Sequence, residues 1–222
     1  MYRQKADRHI QDCRASQAPH LEISEAQQIS VASYLKLGTS NVHERLHHHP
    51  LTGLLISKDL GLSHYILVLQ SFERFYSALE CQLNKNACPL SDASVIRKDL
   101  SSLNSGSNPL PELQLPVFIT ELNSMLGVQY VLLGSGLGGQ VIAKNLKRTL
   151  GLDGKRGARF FIGSGKKTLL MWRQFLQNLE SACTSKKQCR ESAILTFQYL
   201  EEWLWQVWNL KMLARFPHNI NI

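Results

Sequence analysis

The stretch Gly134-Ser135-Gly136-Leu137-Gly138-Gly139 places four glycines in six residues, between the apolar runs Tyr130–Leu133 and Val141–Ile142. As a string it fits the G-x-G-x-x-G of dinucleotide-binding turns. Such a turn needs a strand before it, a helix after it, and a second strand that ends in an acid about 20 residues on. Asp153 has the right distance, but it follows KNLKRTLGL, which is not a strand run. Gly163-Ser164-Gly165-Lys166-Lys167-Thr168 also falls short of a phosphate loop, because Lys167 holds the hydroxyl position and Phe160 the first glycine position. The remaining reading of residues 128–146 is a helix that accepts several glycines. Each costs about 1 kcal/mol against alanine in a helix interior, so four together need a reason. Gly134 and Gly138 are four apart and share a face. A bare backbone there leaves a slot for a flat, bulky ligand. Close helix–helix packing is the competing reason, since it also favours small residues.

The rest of the chain supports a helical setting. Residues 28–46 space Ile29, Val31, Leu35, Val42 and Leu46 as a helix, which Pro50 should end near His48 or His49. Residues 63–86 give the clearest amphipathic pattern, with Ile66, Leu69, Phe72, Phe75, Tyr76 and Leu79 at three- and four-residue steps. Further helices are expected over 92–104, over 117–150 as one or two segments, and over 167–183 and 190–214. Residues 104–116 and 151–165 read as loops, the second with a short apolar centre. Alternating strand patterns are few. The expectation is an all-α single domain over 28–214, with an N-terminal extension (1–27) and a C-terminal tail (215–222).

The 222 residues carry a formal net charge of +8, and the charge is localised. Residues 144–173 hold nine cations (Lys144, Lys147, Arg148, Lys155, Arg156, Arg159, Lys166, Lys167, Arg173) against Asp153 alone. Such a block attracts an anion, although a solvated face would look the same. No apolar run suggests a membrane span, and the polar N-terminus is not a secretory signal. The five cysteines are odd in number and lack a C-x-x-C pair, which suggests neither a disulfide framework nor a four-thiolate zinc site and fits a reducing cytoplasm. His43 and His47 lie four apart on one helix face. An imidazole on such a face can ligate iron or zinc, while His47–His49 reads as a polar helix end.

Together, VHERLHHHPL (42–51) and YVLLGSGLGGQVI (130–142) resemble the proximal and distal helices of the heme oxygenase family, especially its bacterial biliverdin-producing members found beside phytochromes. YILVLQSFERFYSALE (65–80), RFFIGSGKKTLLMWRQFLQNL (159–179) and AILTFQYLEEWL (193–204) extend the resemblance over roughly 28–205. It implies a helical bundle with heme, both substrate and cofactor, sandwiched between proximal and distal helices. His43 would be the axial iron ligand. Gly134, Ser135 and Gly138 would press on the distal face, followed by Gly139. Lys36 would pair with a propionate, as would cations among Lys166, Lys167 and Arg173. Mammalian members have an aspartate where Ser135 stands. The implied reaction opens heme to biliverdin, releasing carbon monoxide and ferrous iron, with dioxygen and external electrons. The implied partners are a donor such as ferredoxin or flavodoxin (ascorbate in vitro) and a bilin-accepting phytochrome, in the cytoplasm, without nucleic acid or membrane. A heme-binding or carrier protein on the same fold is the alternative. A nucleic-acid module using 144–173 would leave His43 and the glycines unexplained.

Overall fold

The computed structural model describes residues 29–84 and 92–215, so the expected extension over 1–27 and nearly all of the tail lie outside the described residues. Helix α1 runs Val31–His48, α2 Leu62–Asn84, α3 Ala93–Ser102, α4 Leu122–Leu150, α5 Arg159–Ile162, α6 Thr168–Ala182 and α7 Lys186–Arg215. No strand forms among the described residues.

Helix α1 starts where its free backbone donors find acceptors. The Ser30 hydroxyl accepts the Ser33 N–H at 3.1 Å, and the Glu180 carboxylate of α6 accepts those of Val31 and Ala32 at 3.0 Å each. This satisfies orphan donors and places negative charge at the positive end of the helix. The helix stops at His48 because Pro50 holds His49 extended, at ψ 135°.

Helix α4 is continuous through all four glycines, which settles the expectation of one or two segments. None of them takes a positive φ, so the dinucleotide turn is absent. Gly151 ends the helix at φ 64°, and the Leu152 N–H returns to the Leu146 carbonyl at 3.2 Å. By length and apolar composition α4 could cross a membrane, contrary to expectation, because glycines replace the polar residues of an ordinary surface helix. Here it packs against α5, α6 and α7 as an internal element of the bundle.

Helix α7 is the spine on which both α1 and α4 lean. Its first half contributes Cys189, Ala193 and Phe197 to a core shared with Val31, Leu35 and Val42 of α1, Leu126 and Val131 of α4, and Phe175 and Leu179 of α6. Its second half contributes Trp203, Leu204 and Val207 to the larger core built on α2. The Trp203 indole donates to the Ser71 carbonyl at 2.8 Å and fixes that half against α2. The connection after α3 is tied down by Arg74, which donates to the carbonyls of Leu110 and Asn108. The segment 151–165 is not wholly loop. Buried Asp99 accepts the N–H groups of Arg159 and Phe160 at 3.0 and 2.8 Å, and so caps the single turn α5.

The histidine run also divides. His47 and His48 are exposed, as a polar helix end should be, but His49 is only 2% exposed. Its Nδ1 accepts the Leu51 N–H at 3.1 Å, and its ring lies 4.4 Å from that of Trp205. Desolvation lowers its pKa from 6.5 to about 4, against a weak opposing pull from Glu201. A depressed folded pKa gives stability that is complete above pH 6.5 and is lost as pH falls toward 4. Chemical denaturation is therefore expected to show a loss approaching about 3 kcal/mol across that window. His49→Gln should flatten this part of the profile.

Candidate functional site

Helices α1 and α4 are not directly packed along their length, and the interval between them is the candidate cleft, with a tie at each end. At one end the Tyr130 phenol of α4 lies beside the Thr39 hydroxyl of α1, which itself donates to the Leu35 carbonyl. At the other, the Asn145 amide of α4 donates to the carbonyls of Leu55 and Ser57 at 2.9 and 2.8 Å, in the turn that follows α1. Thr39 precedes that turn as Tyr130 precedes Asn145, so the two helices run in the same sense. Fifteen residues of α4 separate the ties, about 22 Å of helix. One turn beyond the first tie lie His43 on α1 and Gly134 on α4.

The glycines have different neighbours. A Cβ on Gly134 would lie 3.5 Å from the Trp172 ring, whereas one on Gly138 would meet nothing within 4 Å. Gly134 is thus covered by Trp172, while Gly138 faces open space. Gly139 is buried and faces elsewhere: a Cβ there would come within 2.8 Å of the Phe161 carbonyl. One step along the helix turns Gly139 about 100° from Gly138, toward α5. Gly127 is likewise a packing glycine, set against the Cys189 carbonyl and the Ser192 hydroxyl of α7. Close packing thus accounts for Gly127 and Gly139 but not for Gly138.

His43 stands on the exposed face of α1, its ring 4.6 Å from His47 and 5.6 Å from Phe197 of α7. Partial desolvation first, and repulsion from His47 second, lower its pKa, and Glu44 opposes them. The neutral imidazole that a metal requires is therefore favoured near pH 7. Glu44 is engaged by His48 at 3.0 Å. Ser135 is exposed beside the glycines. Its hydroxyl donates to the Leu132 carbonyl at 2.7 Å, and it lies near the phenol of Tyr76, whose pKa is raised by burial.

The nine cations separate by structure. Arg148 donates to Asn145, Arg156 to the Gly151 carbonyl, and Arg159 pairs with Asp99. These three are structural. Lys144, Lys147, Lys155, Lys166, Lys167 and Arg173 are exposed and in no ion pair among the described residues, and the same holds for Lys36 on α1.

The family model for heme oxygenase matches residues 29–204. The chain belongs to the heme oxygenase family. Solved structures of family members share its fold. The heme oxygenase of Neisseria meningitidis, described in NO- and CO-bound forms, is 21% identical, with a TM-score of 0.67 over 82% of this chain and 93% of that one. That of Leptospira interrogans is 19% identical, with a TM-score of 0.67 over 80% and 100%. Heme oxygenase-1 of the cyanobacterium Synechocystis, solved in complex with heme, is 18% identical, with a TM-score of 0.59 over 85% and 99%. No curated protein matches the chain in sequence.

In this heme oxygenase family chain, the cleft gains residues that motif reading passes over. Phe197 lies beside His43 and Trp172 against Gly134, Tyr130 lies beside Thr39, and Tyr76 is near Ser135. Each sits in a segment with an ordinary helical period, so no local signal separates it from a core residue. The two kinds of glycine make a paired test in thermal denaturation. Gly138→Ala should stabilise the ligand-free protein by about 1 kcal/mol, since it gains helix propensity without a clash. Gly127→Ala should cost about 1–3 kcal/mol, because the atom it strikes is backbone.

Proposed function

We propose that this chain is a heme oxygenase that holds heme in the α1–α4 cleft and opens it oxidatively to biliverdin, with release of carbon monoxide and ferrous iron. The observation that carries this is the cleft itself: a neutral-favouring imidazole on one helix and bare glycine backbone on the other, one turn beyond the point where Tyr130 lies beside Thr39. The residues present fit the group. His43 offers Nε2 to iron, Gly134 and Gly138 let the backbone approach a flat macrocycle, and unpaired cations stand at hand for its propionates.

Bound heme supplies the iron that activates dioxygen with electrons from a donor, and its own ring is the substrate. The chain supplies orientation and protons. His43 would hold one face, and its pKa, lowered by partial burial, favours the neutral imidazole that iron would take. The α4 backbone at Gly134 and Gly138 sets the space above the other face. Ser135 and the nearby Tyr76 lie beside that space, where the aspartate of mammalian members would stand, and can hold an ordered water as proton source. Lys36, Lys166, Lys167 and Arg173 are the candidates for the propionates. Lys144, Lys147 and Lys155 leave a cationic surface for an acidic donor such as ferredoxin or flavodoxin. A cytoplasmic setting and a bilin-accepting phytochrome belong to the same proposal and rest on the sequence resemblance.

The test is hemin added to the purified protein, followed by ascorbate or reduced ferredoxin under air. A saturable heme spectrum, then a bilin and carbon monoxide, is expected. Bound hemin that persists under reductant would identify a carrier instead. His43→Ala should remove the imidazole-ligated spectrum, and an unchanged spectrum would overturn the ligand assignment. Adding salt from about 0.05 to 0.5 M should slow ferredoxin-supported turnover several-fold and leave ascorbate-supported turnover nearly unchanged.

A further inference from the structure

Cys183 follows the last residue of α6, and Cys189 lies in the first turn of α7. Their sulfurs are 3.0 Å apart, and both are thiols. Cys183 is partly exposed and Cys189 is fully buried. The turn between them is held by one side chain of α4. The Asn123 carbonyl oxygen accepts the N–H groups of Thr184 and Ser185 at 3.0 and 3.2 Å, and its amide donates to Thr184 Oγ1 and Gln188 Oε1 at 3.0 Å each. Glu180, three residues before Cys183, caps the start of α1. Gly127 of α4 lies against the Cys189 carbonyl. The sulfurs therefore meet at the junction of α1, α4, α6 and α7, already in contact, in a turn whose path is set by other bonds.

We propose that Cys183 and Cys189 are a peroxide-responsive dithiol whose disulfide locks this junction. The accessible Cys183 thiolate attacks a hydroperoxide and becomes the sulfenic acid, releasing water from hydrogen peroxide or an alcohol from an organic hydroperoxide. The Cys189 sulfur then displaces the sulfenic hydroxyl, which leaves as water, and closes the S–S bond. The two thiols lose two electrons and two protons in all, and the peroxide takes them. Burial, reinforced by contact with Cys183, keeps Cys189 a thiol until that second step and fixes the order of the two sulfurs. The bond joins the ends of α6 and α7. Helix α6 carries Trp172 against Gly134 and Glu180 on the start of α1, so the lock stiffens the walls of the cleft. The chemistry does not rest on the proposed heme function.

Trypsin provides the readout, because Lys186 and Lys187 lie between the two cysteines. The full chain, reduced and then treated with hydrogen peroxide, is alkylated and digested without reductant. The peptides 174–186 and 188–190 are expected to remain joined, and reductant should release them. Cys183→Ser and Cys189→Ser should each abolish the joined pair, whereas Cys81→Ser should leave it. Cys183 advancing to sulfinic acid without a bridge, or bridging to Cys13, Cys81 or Cys88, would overturn the assignment. Amide hydrogen exchange should slow on oxidation over the 183–189 turn and the first turn of α1. Unchanged exchange at both would overturn the lock.

Discussion

Helices α1 and α4 touch so little of each other that their separation must be set by something else, and that is α7. Both lean on it, and α4 comes close enough at Gly127 to meet its backbone. Interiors pack as densely as organic crystals, so a small residue at such a contact fixes an interhelical distance as firmly as a large one. With α7 as common reference, two polar ties finish the frame: Thr39 with Tyr130, and Asn145 with the turn after α1. The cleft is the space that this frame does not fill.

Glycine in the middle of a helix is unfavourable, and α4 carries that cost for two unlike returns. Gly127 and Gly139 let neighbouring backbones approach, which recovers stability through packing. Gly138 recovers none in the ligand-free chain, since nothing stands within 4 Å. A local weakness without structural compensation belongs at a functional surface, where the missing side chain is the space a ligand takes. The family match covers residues 29–204, which include all of α4, and the fold is shared with solved heme oxygenases.

Charge and imidazole chemistry follow the same division between frame and site. Arg148, Arg156 and Arg159 serve the frame through hydrogen bonds to the backbone, to Asn145 and to Asp99, while the lysines around them and Arg173 remain available. In the histidine run, His49 is buried as a packing residue on Trp205, His48 pairs with Glu44 on the surface, and His43 alone borders Phe197. Neighbours in sequence thus end in three different environments, because His43 and His48 leave α1 on different sides and His49 lies past its end, where Pro50 holds it extended.

Local periodicity in the sequence determined the helical class, the end of α1 before Pro50 and the shared face of Gly134 and Gly138. These depend on backbone geometry and on residues within one or two turns. The motifs around His43 and Gly134, with the helical segments beside them, also indicated the family whose model matches residues 29–204. Tertiary structure alone decided that Gly139 faces α5 and Gly138 faces open space, and that Phe197 meets His43 and Trp172 meets Gly134. It also brought Tyr76 to Ser135 and Cys183 to Cys189, and left six of the nine cations unpaired. Such outcomes depend on which distant segment packs opposite each residue. Helical period specifies the direction a side chain takes from its own axis, and only the assembled bundle supplies what it meets there.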